Sequence, residues 1–186
     1  MVFSPGAETD ERLLARVGDG DERALAELYA RYGPAVFAFV LVRTPDRSAA
    51  EEVSADVWVG CWRSATAFRG DSQVLTWLLG IAKRQVWTHA RGKRLATVPL
   101  NDEAATITAD TDDPAEVISA SDAVGSVLDA LGALPPDIAE IVRLAWLHEL
   151  PYAEIAVAVG IPVGTVKSRV SRARRMLREQ LRRQDV

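Results

Sequence analysis

Thr165, Lys167, Ser168, Arg169, Ser171, Arg172, Arg174 and Arg175 carry the plainest chemistry in the sequence. They are interleaved with Val166, Val170, Ala173 and Leu177, which recur at three and four residues, the spacing of one helix face. Such a helix packs on its apolar stripe and turns hydroxyls and guanidinium groups outward. Short hydroxyls and an Arg can read base edges in the major groove, while flanking Lys and Arg neutralise phosphates. An ordinary amphipathic helix with a solvated basic face would show the same pattern in isolation.

A second basic set surrounds residues 68–94. Phe68, Arg69 and Ser72 lie in a short polar loop, and Lys83, Arg84, Arg91, Lys93 and Arg94 follow on a helical stretch. Cations along a backbone path beside an aromatic group suit single-stranded nucleic acid. Trp77 is expected in the core, whereas Trp87 sits among polar neighbours and could face either way. Cys61 reads as a small buried side chain and His89 as a surface group. A third set is acidic: Glu51, Glu52 and Asp56, of which Glu52 and Asp56 lie four residues apart, opposite Val53 and Val57. That ridge suits a basic partner surface, or is plain surface charge.

Catalytic chemistry has no comparable constellation. One Cys and two His in 186 residues exclude a disulfide framework and leave no zinc-ligand spacing. No phosphate-cradling Gly loop and no His–Ser or His–Cys pair is present, so no enzyme activity, metal or cofactor is expected. With 48% hydrophobic residues the chain can build real cores. Its longest apolar runs, such as 35–42, are short for a bilayer span, and no signal-peptide pattern opens it. A soluble, cytoplasmic protein without membrane insertion is expected.

The net charge of −4 conceals segregation. Residues 1–60 hold 11 acids and 6 bases, 61–94 hold 7 bases and Asp71 alone, 95–140 hold 10 acids and no base, and 161–186 hold 8 bases against 2 acids. Two basic stretches separated by acid suggest two polyanion contacts on one chain.

The elements that would position these groups are all helical. The periodicity predicts helices over 8–18, 21–42 with Asp21 as N-cap, 48–64 and 74–94. The apolar stripe of the second is Leu25, Leu28, Tyr29, Tyr32, Val36 and Val40. Residues 96–116 lose periodicity and hold two Pro and six acids, the composition of a tether. It is expected to be the main site of limited proteolysis. Further helices are predicted over 119–131, 135–148, 152–159 and 163–183, with Ile155, Ala156 and Val159 facing inward. Gly160-Ile161-Pro162 joins the last two in a helix-turn-helix layout. The fold class is all-α, as two small domains at 8–95 and 119–186 joined by an acidic linker at 96–118.

The string from Leu150 to Ala156, then Gly160 to Arg169, ending Ser171-Arg172-Ala173-Arg174, resembles region 4 of bacterial extracytoplasmic-function (ECF) sigma factors of the sigma-70 family. Leu134-Pro135-Pro136 is similar to the start of that region. Ala50-Glu51-Glu52-Val53, Asp56-Val57-Trp58 and Trp62 resemble region 2.2. Phe68-Arg69-Gly70-Asp71-Ser72, Thr76-Trp77-Leu78 and Ile81-Ala82-Lys83 resemble regions 2.3 and 2.4. Regions 1.1 and 3 have no counterpart, and no fused C-terminal regulatory domain is expected.

The resemblance implies a promoter-specificity subunit of core RNA polymerase. By that likeness the first domain, through Glu51, Glu52 and Asp56, meets the clamp helices of the largest subunit and opens the −10 element. The second sits on the flap of the second-largest subunit and reads the −35 element as duplex. An anti-sigma factor is a further implied partner, and the linker would thread the polymerase channel. Ala55 stands where the family often has Gln, Val74-Leu75 where an aromatic and a polar residue are usual, Arg84 where Asn is common and Thr88 where Asp is frequent. Arg84 can serve acceptor-rich base edges or simply hold a phosphate. A stand-alone duplex-binding repressor and a protein-binding decoy are the competing readings. The second basic site argues against the first and the basic recognition helix against the second.

Overall fold

Short polar side chains set where the first three helices begin. Thr9 lies in extended backbone and its Oγ1 accepts from the Arg12 amide, so α1 (Asp10–Gly18) starts two residues after the position expected from sequence. Asp21 Oδ1 accepts from the amides of Arg23 and Ala24 at 2.9 and 3.3 Å and opens α2 (Glu22–Leu41). Asp46 Oδ1 accepts from the Ala49 amide at 2.7 Å and opens α3 (Arg47–Ser64). Each such cap satisfies a donor the helix cannot, worth about 1 kcal/mol.

This computed structural model describes residues 8–96 and 132–184, divided between two compact units, Met1–Ala109 and Asp110–Val186. No strand occurs among the described residues. The helix expected over 119–131 and the tether, apart from Ala96, lie outside them.

In the first unit a 3₁₀ turn (Ala65–Ala67) and the loop after it lead from α3 into α4 (Val74–Ala96). α2 packs against α1, α3 and α4, so its buried arc is wide. Ala24, Leu28, Gly33, Val36, Phe39 and Val40 are buried, whereas Tyr29, placed on the stripe by periodicity, is 57% exposed. By length and composition α2 is apolar enough to cross a membrane, contrary to the reading from short apolar runs. Here it is the core helix of a bundle. α3 and α4 approach closely at Gly60, where a Cβ would stand 2.9 Å from Ile81 Cγ2.

Charge ties α1 to α2. Arg16 bridges Glu8 and Asp21, the latter at 2.6 Å, and holds the Asp21 carboxyl below its ordinary range. Arg31 pairs with Asp10 at 2.6 Å and Glu27 at 3.0 Å. The Tyr32 hydroxyl donates to Asp10, and burial, then that carboxylate, push the phenol upward.

In the second unit, Pro135 precedes α5 (Pro136–Val142), which widens into a π turn over Arg143–Leu147. The expected single helix over 135–148 therefore ends loosely: the His148 amide reaches back to the Arg143 carbonyl, and Glu149 takes a positive φ of 52°. α6 (Tyr152–Val159) and α7 (Val163–Gln184) follow. Gly160 ends α6 at φ 80°, ψ 36°, a left-handed cap that suits glycine. Val166, Val170 and Ala173 are buried, as are Ile155, Ala156 and Ala158 on α6; Ala158 takes the place expected of Val159, which is half-buried. Met176 and Leu177 close over Leu134, Ile138, Ala139, Val142 and Ala173.

Candidate nucleic-acid interfaces

α7 begins where the Pro162 carbonyl accepts from the amides of Thr165 and Val166, at 2.9 and 3.2 Å. With its apolar stripe committed to the core, the opposite side carries a shallow open groove of about 460 Å³. It is lined by Thr165, Ser168, Arg169, Ser171, Arg172 and Arg175. Six of the eight residues expected to meet duplex DNA are thus brought together. Lys167 is exposed beside the groove, and Arg174 lies over the Trp146 ring at 5.8 Å.

Two of these side chains have internal duties. Ser168 Oγ donates to the Thr165 carbonyl at 2.9 Å, which leaves its lone pairs to accept from an amino group. Arg169 is 30% exposed and pairs with Asp137 at the start of α5, at 3.2 Å. Sequence reasoning placed Arg169 among the DNA contacts and overlooked Asp137 and Trp146. An acid in the first turn of a helix reads as a dipole partner, and its tie to α7 exists only once the helices pack.

In the first unit the loop after the 3₁₀ turn is turned by Gly70 at φ 76°. Phe68 is half-buried, edge-on to Trp77 with centroids 5.6 Å apart. Arg69 is exposed, and Ser72 Oγ donates to the Gln73 carbonyl at 3.3 Å. Val74, Leu75, Leu78, Ile81 and Ala82 bury the first half of α4. Its second half turns Lys83, Arg84 and Arg91 to solvent. The side chains of Lys93 and Arg94 lie outside the described residues. Trp77 is half-buried rather than fully in the core, and Trp87 is exposed, with the Arg91 guanidinium 4.5 Å from its ring centroid. His89 is not a free surface group: it is half-buried, with Nε2 shielded and without a partner.

On α3, Glu52 and Asp56 are exposed, and Glu51 pairs with Arg47 at 3.1 Å. Val59, not anticipated, continues that side of the helix at 45% exposure. Cys61 is fully buried, and burial pushes its thiol up to about 11, so it stays protonated at neutral pH.

Comparison with known proteins gives this geometry its context. Residues 28–95 match sigma-70 region 2, and residues 125–177 match sigma-70 region 4. An ECF RNA polymerase sigma-E factor of Haemophilus influenzae is 34% identical over 93% of this chain and 95% of its own. The RNA polymerase sigma-H factor of Pseudomonas aeruginosa is 30% identical, over 94% of each chain. A solved structure of the sigma factor RpoE in complex with the anti-sigma factor NepR, from Bartonella quintana, aligns with a TM-score of 0.50 at 25% identity. It covers 84% of this chain and 96% of that one. The region 2 match spans the acidic ridge, the loop and the basic half of α4, the region 4 match spans the groove of α7, and the chain belongs to the ECF RNA polymerase sigma factors of the sigma-70 family.

Proposed function

We propose that this sigma factor directs promoter-specific initiation by dividing two states of DNA between two helices. The unit at 8–95 binds core polymerase and holds the melted −10 element, the unit at 119–186 reads the −35 element as duplex, and residues 96–118 join them. In region 2, Glu51, Glu52 and Asp56 face the clamp helices of the largest polymerase subunit. Phe68, Arg69 and Ser72 receive an unpaired base, and Lys83, Arg84, Arg91, Lys93 and Arg94 carry phosphates. In region 4, Arg172 and the hydroxyls of Thr165, Ser168 and Ser171 face base edges. Lys167, Arg174 and Arg175 hold the backbone, and the unit rests on the flap of the second-largest subunit. Arg169 works from behind, anchored by Asp137. The chain does no covalent chemistry of its own, acts in the cytoplasm, and is held in check by an anti-sigma factor, as the RpoE relative is bound by NepR.

The observation that carries this reading is the groove on α7, lined by the hydroxyl side chains of Thr165, Ser168 and Ser171 together with Arg172, Arg175 and the Asp137-paired Arg169. Run-off transcription from a library randomised at −10 and −35, with core polymerase and with or without this chain, tests it. Discrete transcripts that require the chain are expected. Duplex binding without core, and no transcript with it, would make the protein a repressor instead.

A further inference from the structure

We propose that Trp87, with Arg91 laid across its ring, is a second stacking site for an unpaired DNA base, separate from the Phe68 loop. This rests on the assignment of α4 to melted −10 DNA and gives a role to a residue whose orientation the sequence left open.

Trp87 is the most exposed tryptophan of the chain, at 59%. An indole left in water forgoes one of the largest burial gains open to a side chain, which marks the ring as a surface that something covers. Its helical neighbours three and four residues away are Lys83, Arg84, Ala90 and Arg91, of which the three cations are exposed. Three cations and a methyl make a poor seat for a protein, whose contact core would be apolar and depleted of charge. The same surroundings suit a nucleic-acid strand: cations for phosphates, a planar ring for a base, and an Arg that stacks as well as neutralises.

The Arg91 guanidinium lies 4.5 Å from the ring centroid, and the indole beside it keeps 59% exposure, surface available to a second planar partner. Competing local bonds are absorbed, since Thr88 Oγ1 donates to the Arg84 carbonyl at 3.0 Å. From the start of α4 to Trp87 is 13 residues, about 20 Å of helix. A base captured by the Phe68 loop and one stacked on Trp87 are therefore different nucleotides of the bound DNA.

The test uses holoenzyme reconstituted from core polymerase and the full chain. Its probes are a promoter selected from the randomised library, prepared as a fork with a single-stranded −10 non-template overhang and as a blunt duplex. Trp87→Ala should weaken binding to the fork roughly tenfold and leave the blunt duplex and core affinity unchanged, while Trp87→Phe keeps most of the fork affinity. Trp87→Lys replaces the ring with an added positive charge, and should still lose fork affinity because the ring's stacking, not charge, is what the site supplies. Wild-type fork affinity in Trp87→Ala or Trp87→Lys overturns the proposal. So does an equal loss on blunt duplex, which would mean a duplex contact, or a loss of core binding, which would mean a protein contact. If wild-type holoenzyme shows no preference for the fork, the assignment of α4 to melted DNA falls, not this proposal alone.

Discussion

The second half of α4 and the whole of α7 look alike by charge and differ in what accompanies it. Lys83, Arg84 and Arg91 on α4 surround an exposed indole, whereas Arg169, Arg172 and Arg175 on α7 share a groove with Thr165, Ser168 and Ser171. Paired bases offer only their edges, and edges are read by small donors and acceptors that fit a groove. Unpaired bases offer faces, and faces are held by rings. Basic charge brings either helix to DNA. In the function proposed above, the side chains set among the cations decide whether each helix meets a duplex or a strand.

The largest expected effect comes from removing one side of the comparison altogether. Val166 is fully buried on α7, and Val166→Asp puts an unpaired carboxylate there at a cost of about 3 kcal/mol or more. Filter binding to a −35 duplex should then fail, while holoenzyme keeps its grip on a −10 fork. An equal loss on both probes would show that the two faces cannot act separately.

Within α7, Arg172→Ala should cost on the order of 1–3 kcal/mol on the preferred −35 element and blunt base preference at one position. Lys167→Ala should weaken all sequences more evenly and flatten the salt dependence by about one charge. Titrations on cognate and scrambled duplexes at several salt concentrations separate the two. Equal losses on both duplexes would remove Arg172 from the base-reading set.

Arg84→Asn asks the matching question of α4. A uniform severalfold drop in open complex across a randomised −10 library would leave Arg84 as a phosphate clamp. A new preferred base would make it a reader.

The smallest effect is expected from Asp137→Asn. The Asp137–Arg169 pair is partly exposed, so thermal denaturation should register about 1 kcal/mol or less. A guanidinium released from its carboxylate should bind phosphates less selectively, raising affinity for scrambled duplex and narrowing the gap to the cognate one. An unchanged gap would make the pair a packing detail.

Local signals reached far in some places and stopped in others. α6 spans the residues expected of it, because Pro151 precedes it and Gly160 caps it in a left-handed turn. The Asp21 cap was legible for the same reason: the bond closes within three residues. Periodicity found the α2 stripe but misjudged its width, since a helix packed on three neighbours buries Ala24 and Phe39 on its flanks and leaves Tyr29 outside. The site followed the same rule. Which cations stand along α7 was readable, but Arg169 meets an acid 32 positions earlier and Arg174 meets Trp146. Such partners come together only when α5 and the π turn pack against α7. Trp77 and Trp87 share a residue type that says nothing of their exposure. How deep each turn of α4 lies in the bundle decides it.

α4 is one uninterrupted helix of 23 residues, about 35 Å long, whose buried first half is locked by the Gly60–Ile81 approach. It therefore works as a gauge cut to a fixed phase. One residue inserted between Ala82 and Lys83 would leave the locked half where it is, but turn everything beyond it by about 100°. Trp87 and its cations would then stand about a quarter-turn away from their present direction relative to the loop. Short of a π turn like the one that follows α5, a continuous helix does not absorb such an error, so the register between the loop and the basic face is set by backbone geometry before any DNA arrives.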